Sequence, residues 1–245
     1  MFKIKVYNRL FINQPCRLCA SPLALPNGLC EACHADLPWL LNACKRCGLP
    51  LPFTNDSPCR HCDDYPSAID RTLVPFHYQF PLNRLIPDIK YHKKPAALGW
   101  MSHVMAQYLE SICTDMPELL IPVPMHRLNE ARRGFNQSSL LAYQLSRHLQ
   151  IPCDHRLLSK TRLTPRQMTL SAEQRRHNLK QAFAIHREPP EHVALIDDVM
   201  TTGSTADELA QLLKERGAAK VDLLVMARTP SPEDGELTEN QPKAN

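Results

Sequence analysis

From residue 69 onward the apolar positions fall into short unbroken runs separated by stripes of helical period, whereas before residue 66 they follow neither rule. The run at 69–78, IDRTLVPFHY, predicts a strand or hairpin interrupted at Pro75. Residues 82–91 and 96–112 predict two helices, the first broken or kinked at Pro87, flanking the basic turn His92-Lys93-Lys94-Pro95. A buried strand is expected at 119–123, running into Pro122-Val123-Pro124. Ser138, Leu141, Leu145 and Leu149 recur at helical spacing, and Asn136 is placed to cap that helix. Leu157-Leu158 opens another strand, the polar and basic stretch 161–169 reads as a mobile loop, and Ser171-Ala172-Glu173 starts a helix reaching Leu179. A strand at 192–196 (HVALI), a helix at 206–216 closed by Gly217 and a strand at 221–227 (VDLLVMA) follow. Strand, helix and strand in so short a span form a βαβ unit, so the sheet is at least partly parallel and the fold class is α/β. The polar, acidic tail from Pro230 predicts disorder.

The aperiodic first quarter is explained by composition. The chain has 245 residues with 22 Pro, 7 Gly and 10 Cys, and eight of the Cys lie between Cys16 and Cys62. They form four Cys-x2-Cys knuckles: Cys16 with Cys19, Cys30 with Cys33, Cys44 with Cys47, and Cys59 with Cys62. A two-residue gap lets both sulfurs of a knuckle reach one tetrahedral Zn²⁺, so four knuckles supply two closed structural sites. A closed all-thiolate site leaves no position for substrate, and tandem knuckles outside a βαβ unit do not fit a redox dithiol. So proline-rich a segment cannot bury enough core to fold without a staple. Sequential pairing is expected, with Cys16, Cys19, Cys30 and Cys33 on one zinc and Cys44, Cys47, Cys59 and Cys62 on the other; the alternative is a cross-brace of the first knuckle with the third. Gly28 and Gly48 stand where a left-handed turn residue is useful, and the isolated Cys113 and Cys153 read as small core residues.

The apolar stretch at Leu10-Phe11-Ile12 is too short for a secretory signal, and no run approaches the ~20 residues of a membrane helix. With clustered thiols suited to metal, the expectation is a soluble protein of the reducing cytoplasm. The formal charge of +4 is no argument for nucleic acid, because eight thiolates around two Zn²⁺ bring it to about zero. Distribution says more: from His126 to Arg187 stand 12 Lys and Arg against Glu130, Asp154 and Glu173. Such a field attracts anions.

The candidate chemistry lies in residues 193–205, VALIDDVMTTGST. In a parallel sheet, ligands sit beyond the C-terminal strand ends, where this segment falls. Asp197 and Asp198 can accept hydrogen bonds from vicinal sugar hydroxyls. Thr201, Thr202, Gly203, Ser204 and Thr205 offer hydroxyls and backbone N–H groups at a helix N-terminus, which suits a phosphate monoester. A sugar carrying a terminal phosphate and two free hydroxyls satisfies both halves.

This segment resembles the motif of type I phosphoribosyltransferases that binds 5-phosphoribosyl-1-pyrophosphate (PRPP). From Cys16 to about Arg228 the chain resembles the ComF/GntX family, a double zinc ribbon joined to a type I phosphoribosyltransferase-like domain. Beyond the knuckles and the motif, the likeness rests on Pro122-Val123-Pro124, on Arg133-Gly134-Phe135-Asn136-Gln137, and on Thr164, Gln167, Leu170, Arg175, Asn178 and Phe183. It implies a mostly parallel sheet flanked by helices, with a ribbon domain over 1–66, the second domain over 67–229 and a tail over 230–245. It also implies Asp197 and Asp198 on the ribose hydroxyls, residues 201–205 on the 5-phosphate, and Mg²⁺ bridging ribose and pyrophosphate. Arg132, Arg133, Arg162, Arg166 and Arg175 become candidates for stabilising the departing pyrophosphate, and a non-proline cis peptide is expected near 122–125. The family's implied role is DNA uptake in natural competence, with single-stranded DNA and other uptake proteins as partners. Three activities are compatible with these residues: phosphoribosyl transfer, single-strand binding through basic loops with Phe135 and Tyr143, and sensing of PRPP without turnover.

Overall fold

A computed structural model describes residues 15–22, 24–53, 59–92, 95–162 and 182–230. The expected loop beyond residue 162, the helix at 171–179, Arg166, Arg175 and the tail from 231 lie outside the described residues.

A parallel sheet carries the fold. Strands β1 (Arg71–Leu73), β3 (Leu119–Pro122), β6 (His192–Met200) and β7 (Lys220–Arg228) lie in the order β1-β7-β6-β3. Strand β2 (Phe76–His77) also runs parallel to β7, with Phe76 opposite Ala227. Residues 69–78 therefore form no hairpin: they make one edge line broken at Val74-Pro75, because proline has no N–H for the ladder. Strands β4 (Leu158–Lys160) and β5 (Phe183–Ile185) pair antiparallel as a separate ribbon.

Strand β6 is apolar on both faces, as a strand covered from two sides must be. Ala194 and Ile196 belong to the core shared with helices α3 (Leu82–His92), α4 (Ala97–Ile112) and α6 (Gln137–Leu149). Val193 and Leu195 join the opposite core, under α7 (Ser204–Glu215), with Leu209 and Leu213. All four strand residues are fully buried; burying a Val, Leu or Ile side chain stabilises by ~1.5–3 kcal/mol. Helix α3 runs through Pro87 as a single element, because Leu82, Ile86 and Ile89 hold its apolar stripe in the core. A short helix unforeseen in the sequence, α5 (Arg127–Arg133), follows β3. The His126 ring nitrogen accepts from Leu128 N at its start, and it closes at Gly134. The backbone there is trans; the cis peptide among the described residues is Phe80–Pro81, so the cis bond expected near 122–125 is absent.

The knuckle segment adds helices α1 (Glu31–Ala35) and α2 (Arg60–Asp64), each starting at a cysteine. Its apolar residues divide: Cys44, Cys47, Leu49 and Cys62 form a small cluster of their own around the second knuckle pair, whereas those of the first pair enter the main core. Leu29, Cys30 and Leu37 join the cluster containing Trp100, Met101 and Met105 of α4. Among the described residues no helix is long and apolar enough to cross a membrane.

Candidate functional site

The eight clustered cysteines are all free thiols, and the fold gathers them into two groups. Cys16, Cys19, Cys30 and Cys33 form one; Cys44, Cys47, Cys59 and Cys62 form the other, with all sulfurs of a group within 4.8 Å of one another. This is the sequential arrangement and not the cross-brace. Sulfur separations are 3.6 Å for Cys19–Cys30, 3.7 Å for Cys44–Cys62 and 3.5 Å for Cys47–Cys59. A tetrahedron with metal–sulfur bonds of ~2.3 Å has edges of about 3.8 Å, so both groups fit Zn²⁺. In the second group Gly48 follows Cys47 at φ +67, and a Cβ there would meet Thr72 Cγ2 at 2.9 Å, so glycine is required.

At the C-terminal edge of the sheet lies an open cleft of about 410 Å³. Strand β6 extends four residues beyond the expected 196 and carries both acids within the ladder, Asp197 opposite Val225. Asp197 accepts hydrogen bonds from Ser138 Oγ at 2.8 Å and from Asp198 N at 2.9 Å. Burial, followed by the neighbouring Asp198 carboxylate, pushes the Asp197 carboxyl up to about 7. Asp198 Oδ1 accepts from Val199 N at 2.8 Å, and Lys90 Nζ of α3 is ion-paired to Asp198 Oδ2 at 2.9 Å. That oxygen accepts no further hydrogen bond among the described residues. Burial works against the Lys90 ammonium, but Asp198, Asp197 and Tyr78 hold it above its ordinary value.

The α6 cap positions Ser138. Asn136 Oδ1 accepts from Ser138 N at 3.1 Å, as the helix signature predicts, while Asn136 Nδ2 donates to Val123 O at 3.0 Å. One side chain thus fixes both the exit of β3 and the start of α6. Beyond β6 the chain turns through Thr201 and Thr202 to Gly203 at φ +77, the N-cap of α7. Gly203 has no side chain to cap that helix, and Ser204 N donates a long hydrogen bond to Thr202 Oγ1 at 3.5 Å. Thr201 and Thr205 line the cleft together with Asp197, Asp198, Ser138 and Lys90. Thr202, Gly203 and Ser204 build the turn without lining it.

Of the five arginines proposed, the described ones do not line the cleft. Arg133 donates to Gln137 Oε1 at 2.7 Å and lies 5.8 Å over the Tyr91 ring, one contact behind the cleft-lining Gln137. Arg132 lies on exposed α5, and Arg162 follows β4 on the surface. The ammonium groups that do line it, Lys90 and Lys160, were missed. For Lys90 the signal was present: it continues the Leu82, Ile86 stripe of α3, and a lysine on an apolar face has a reason to be there. Lys160, whose ammonium burial pushes down, lies over the Phe183 ring and left no trace in the pattern. Arg228, at the end of β7, was also missed. It is 2% exposed and donates to the carbonyls of Cys47, Met200, Thr201 and Thr229.

Two family models match: the double zinc ribbon domain over residues 7–63 and the phosphoribosyl transferase domain over residues 136–238. The DNA utilization protein YhgH of Escherichia coli O157:H7 is 37% identical over 220 residues, 87% of this chain and 96% of that one. The chain belongs to the ComF family. A second ComF relative, competence protein F of Haemophilus influenzae, is 34% identical over 231 residues, covering 89% and 98% of the two chains. Competence protein ComFC of Bacillus subtilis is 24% identical over 212 residues, 82% of this chain and 84% of its own. Among solved structures, a purine phosphoribosyltransferase from Pyrococcus horikoshii Ot3 covers 55% of this chain and 84% of that one at 17% identity and a TM-score of 0.34.

Proposed function

We propose that the cleft binds PRPP and that this ComF protein, dividing near residue 66 into a ribbon domain and a phosphoribosyltransferase-like domain, acts in the cytoplasm in DNA uptake or utilisation. The observation that carries the reading is the convergence of Asp197, Asp198, Thr201 and Thr205, which flank the turn into α7, on one cleft beyond parallel strand ends. The biological role comes from the relatives' names, DNA utilization protein and competence protein.

In this reading the 5-phosphate takes the turn at 201–205, where Gly203 permits close backbone approach. The ribose hydroxyls donate to Asp197 and Asp198, and Lys90 yields part of Asp198 as they arrive. Mg²⁺ would enter with the substrate, with Asp197 and Asp198 as the carboxylates able to hold it beside the phosphates, and would offset the charge of the pyrophosphate. Transfer breaks the bond from C1 to the pyrophosphate oxygen and forms one to a nitrogen acceptor, with positive charge developing on the ribose. The chain's contribution is to hold the sugar at both ends and to set cations near the departing pyrophosphate. Lys90 and Lys160 line that space, with Arg132, Arg133 and Arg162 around it and Arg166 and Arg175 outside the described residues.

PRPP with Mg²⁺ is expected to raise the melting temperature, and the Asp197→Asn, Asp198→Asn double variant to abolish the rise; a rise retained in the double variant refutes the site. Pyrophosphate released on adding bases or amines marks an enzyme, and its absence across them marks a binding or sensing role. Binding of single-stranded DNA is expected to weaken steeply with salt, and a flat response removes phosphate contacts from the account. The Asp197 carboxyl gives an independent check. Between about pH 4 and its folded value near 7 the folded chain keeps a proton that the unfolded chain has released, so stability falls as pH rises through that window. Asp197→Asn is expected to raise the melting temperature at pH 8 while leaving it little changed at pH 4, with equal shifts at both counting against a buried carboxyl.

A further inference from the structure

Arg228 links two sites that the ligand chemistry alone would keep apart. Its Nε donates to Cys47 O at 3.2 Å, the carbonyl of a ligand in the second tetracysteine group. Its Nη1 donates to Met200 O at 3.1 Å and to Thr201 O, where β6 leaves the sheet for the turn under the cleft. A peptide unit is planar and trans, so its N–H points opposite to its carbonyl. Holding the carbonyls of Met200 and Thr201 toward the guanidinium therefore aims the N–H groups of Thr201 and Thr202 away from it.

The charge of Arg228 is almost fully buried and donates to carbonyls and to the Thr229 hydroxyl. A buried cation needs an anion nearby. Four thiolates on one Zn²⁺ would carry a net charge of about −2, and the second group, whose Cys47 and Cys59 act electrostatically on the guanidinium, would supply it. Losing that zinc would remove the counter-charge and release the knuckle that presents the Cys47 carbonyl. The first group makes no such contact among the described residues: its Asn27 side chain reaches Gln107 of α4 instead, at 3.2 Å.

We infer that Arg228 is a positioning residue through which the second tetracysteine site sets the geometry of the turn at 201–205, so that zinc at Cys44, Cys47, Cys59 and Cys62 and a phosphosugar in the cleft stabilise each other. The inference rests on the phosphosugar reading above. Thermodynamic linkage makes it reciprocal: whatever factor zinc adds to ligand affinity, ligand adds to zinc retention.

The test uses the full zinc-loaded chain and ribose 5-phosphate, which occupies the turn without needing Mg²⁺ or an acceptor. Zinc is withdrawn by a chromophoric chelator while iodoacetamide traps freed thiols, and peptide mass spectrometry reads each cysteine separately. Ribose 5-phosphate is expected to slow labelling of Cys47 and Cys59 by at least about fivefold, leaving Cys19 and Cys33 unchanged. In Arg228→Lys, which keeps a charge but not the forked reach, the protection is expected to disappear while both zincs remain bound. A purely structural arginine would leave zinc release independent of the sugar. If calorimetry shows wild-type binding of ribose 5-phosphate but Cys47 and Cys59 are not protected, the inference is overturned and the phosphosugar reading stands. Absence of binding by both ribose 5-phosphate and PRPP overturns the reading itself, and the inference with it. The wild-type comparison decides the matter even if Arg228→Lys fails to fold.

Discussion

The two tetracysteine groups share their ligand chemistry and differ in what they hold. In the first, Cys16 and Cys30 are buried but Cys19 is exposed and Cys33 half-buried. Its surroundings fasten it to the helical layer: Leu29 and Cys30 enter the α4 cluster, and Asn27, bonded to Leu29 N at 3.1 Å, reaches Gln107. In the second, Cys44, Cys47 and Cys62 are buried, and the knuckle leans on strands. Thr72 N donates to Lys45 O at 2.8 Å, Thr72 Oγ1 to Arg46 O at 2.7 Å, and Arg228 reaches Cys47 O. Nearly identical spacing, with ten residues between the knuckles of the first group and eleven in the second, thus fastens one group to a helix and the other to strands β1 and β7. A metal site's service is decided by what its backbone carbonyls touch, more than by its ligands.

The sharpest way to break this contrast is to remove one ligand from each group. Cys47→Ser and Cys19→Ser are each expected to lower zinc content from two per chain to one. Cys47→Ser should also weaken ribose 5-phosphate binding by about tenfold or more, whereas Cys19→Ser keeps it within about twofold; calorimetry on metal-assayed samples compares them, and equal losses would erase the distinction. A smaller effect is expected from Gly48→Ala, which forces a Cβ into Thr72 at a positive φ: a loss of about 1–3 kcal/mol in chemical denaturation, with zinc leaving the second group first. Asn27→Ala removes the tie to Gln107 and the bond to Leu29 N, and should cost about 1–2 kcal/mol while leaving sugar affinity untouched. The smallest effect comes from the position matching Gly48 in the first group, Ala20, which sits at φ +62 after Cys19. Ala20→Gly is expected to stabilise by at most about 1 kcal/mol, opposite in sign to Gly48→Ala. A loss there would mean that the two knuckles are not conformational equivalents.

Much of this was legible in the sequence because it is written locally. Knuckle spacing puts two sulfurs on one metal, and the strand–acid–acid–turn order brings a carboxylate pair and a helix start to one sheet edge whatever surrounds them. The α6 cap was readable for the same reason, since Asn136 bonds a residue two positions on. The partners of the cations at the cleft were not readable, even where the cation itself stood out in the pattern as Lys90 does, because only the packed fold brings those partners close. Lys90 meets Asp198 only once α3 packs on the sheet, and Arg228 meets Cys47 only once the ribbon docks on β7. The arginines drew attention by number, but at the surface number sets a field, while burial decides which cation touches a ligand. The edge strand was half read: Pro75 announced the break, but that both halves follow β7 depends on pairing far along the chain.

That broken edge has a consequence of its own. The segment between the two metal groups lies along it: Leu40 N donates to Pro75 O at 2.7 Å, His77 N to Pro38 O at 2.8 Å, and Trp39 bridges antiparallel to Phe76. The head therefore seals the margin of the sheet, where exposed backbone would otherwise invite a neighbouring molecule to add a strand. A stretch with no cysteine of its own is thus held in place from both ends by the two four-cysteine groups, and it covers backbone that a bare margin would leave open.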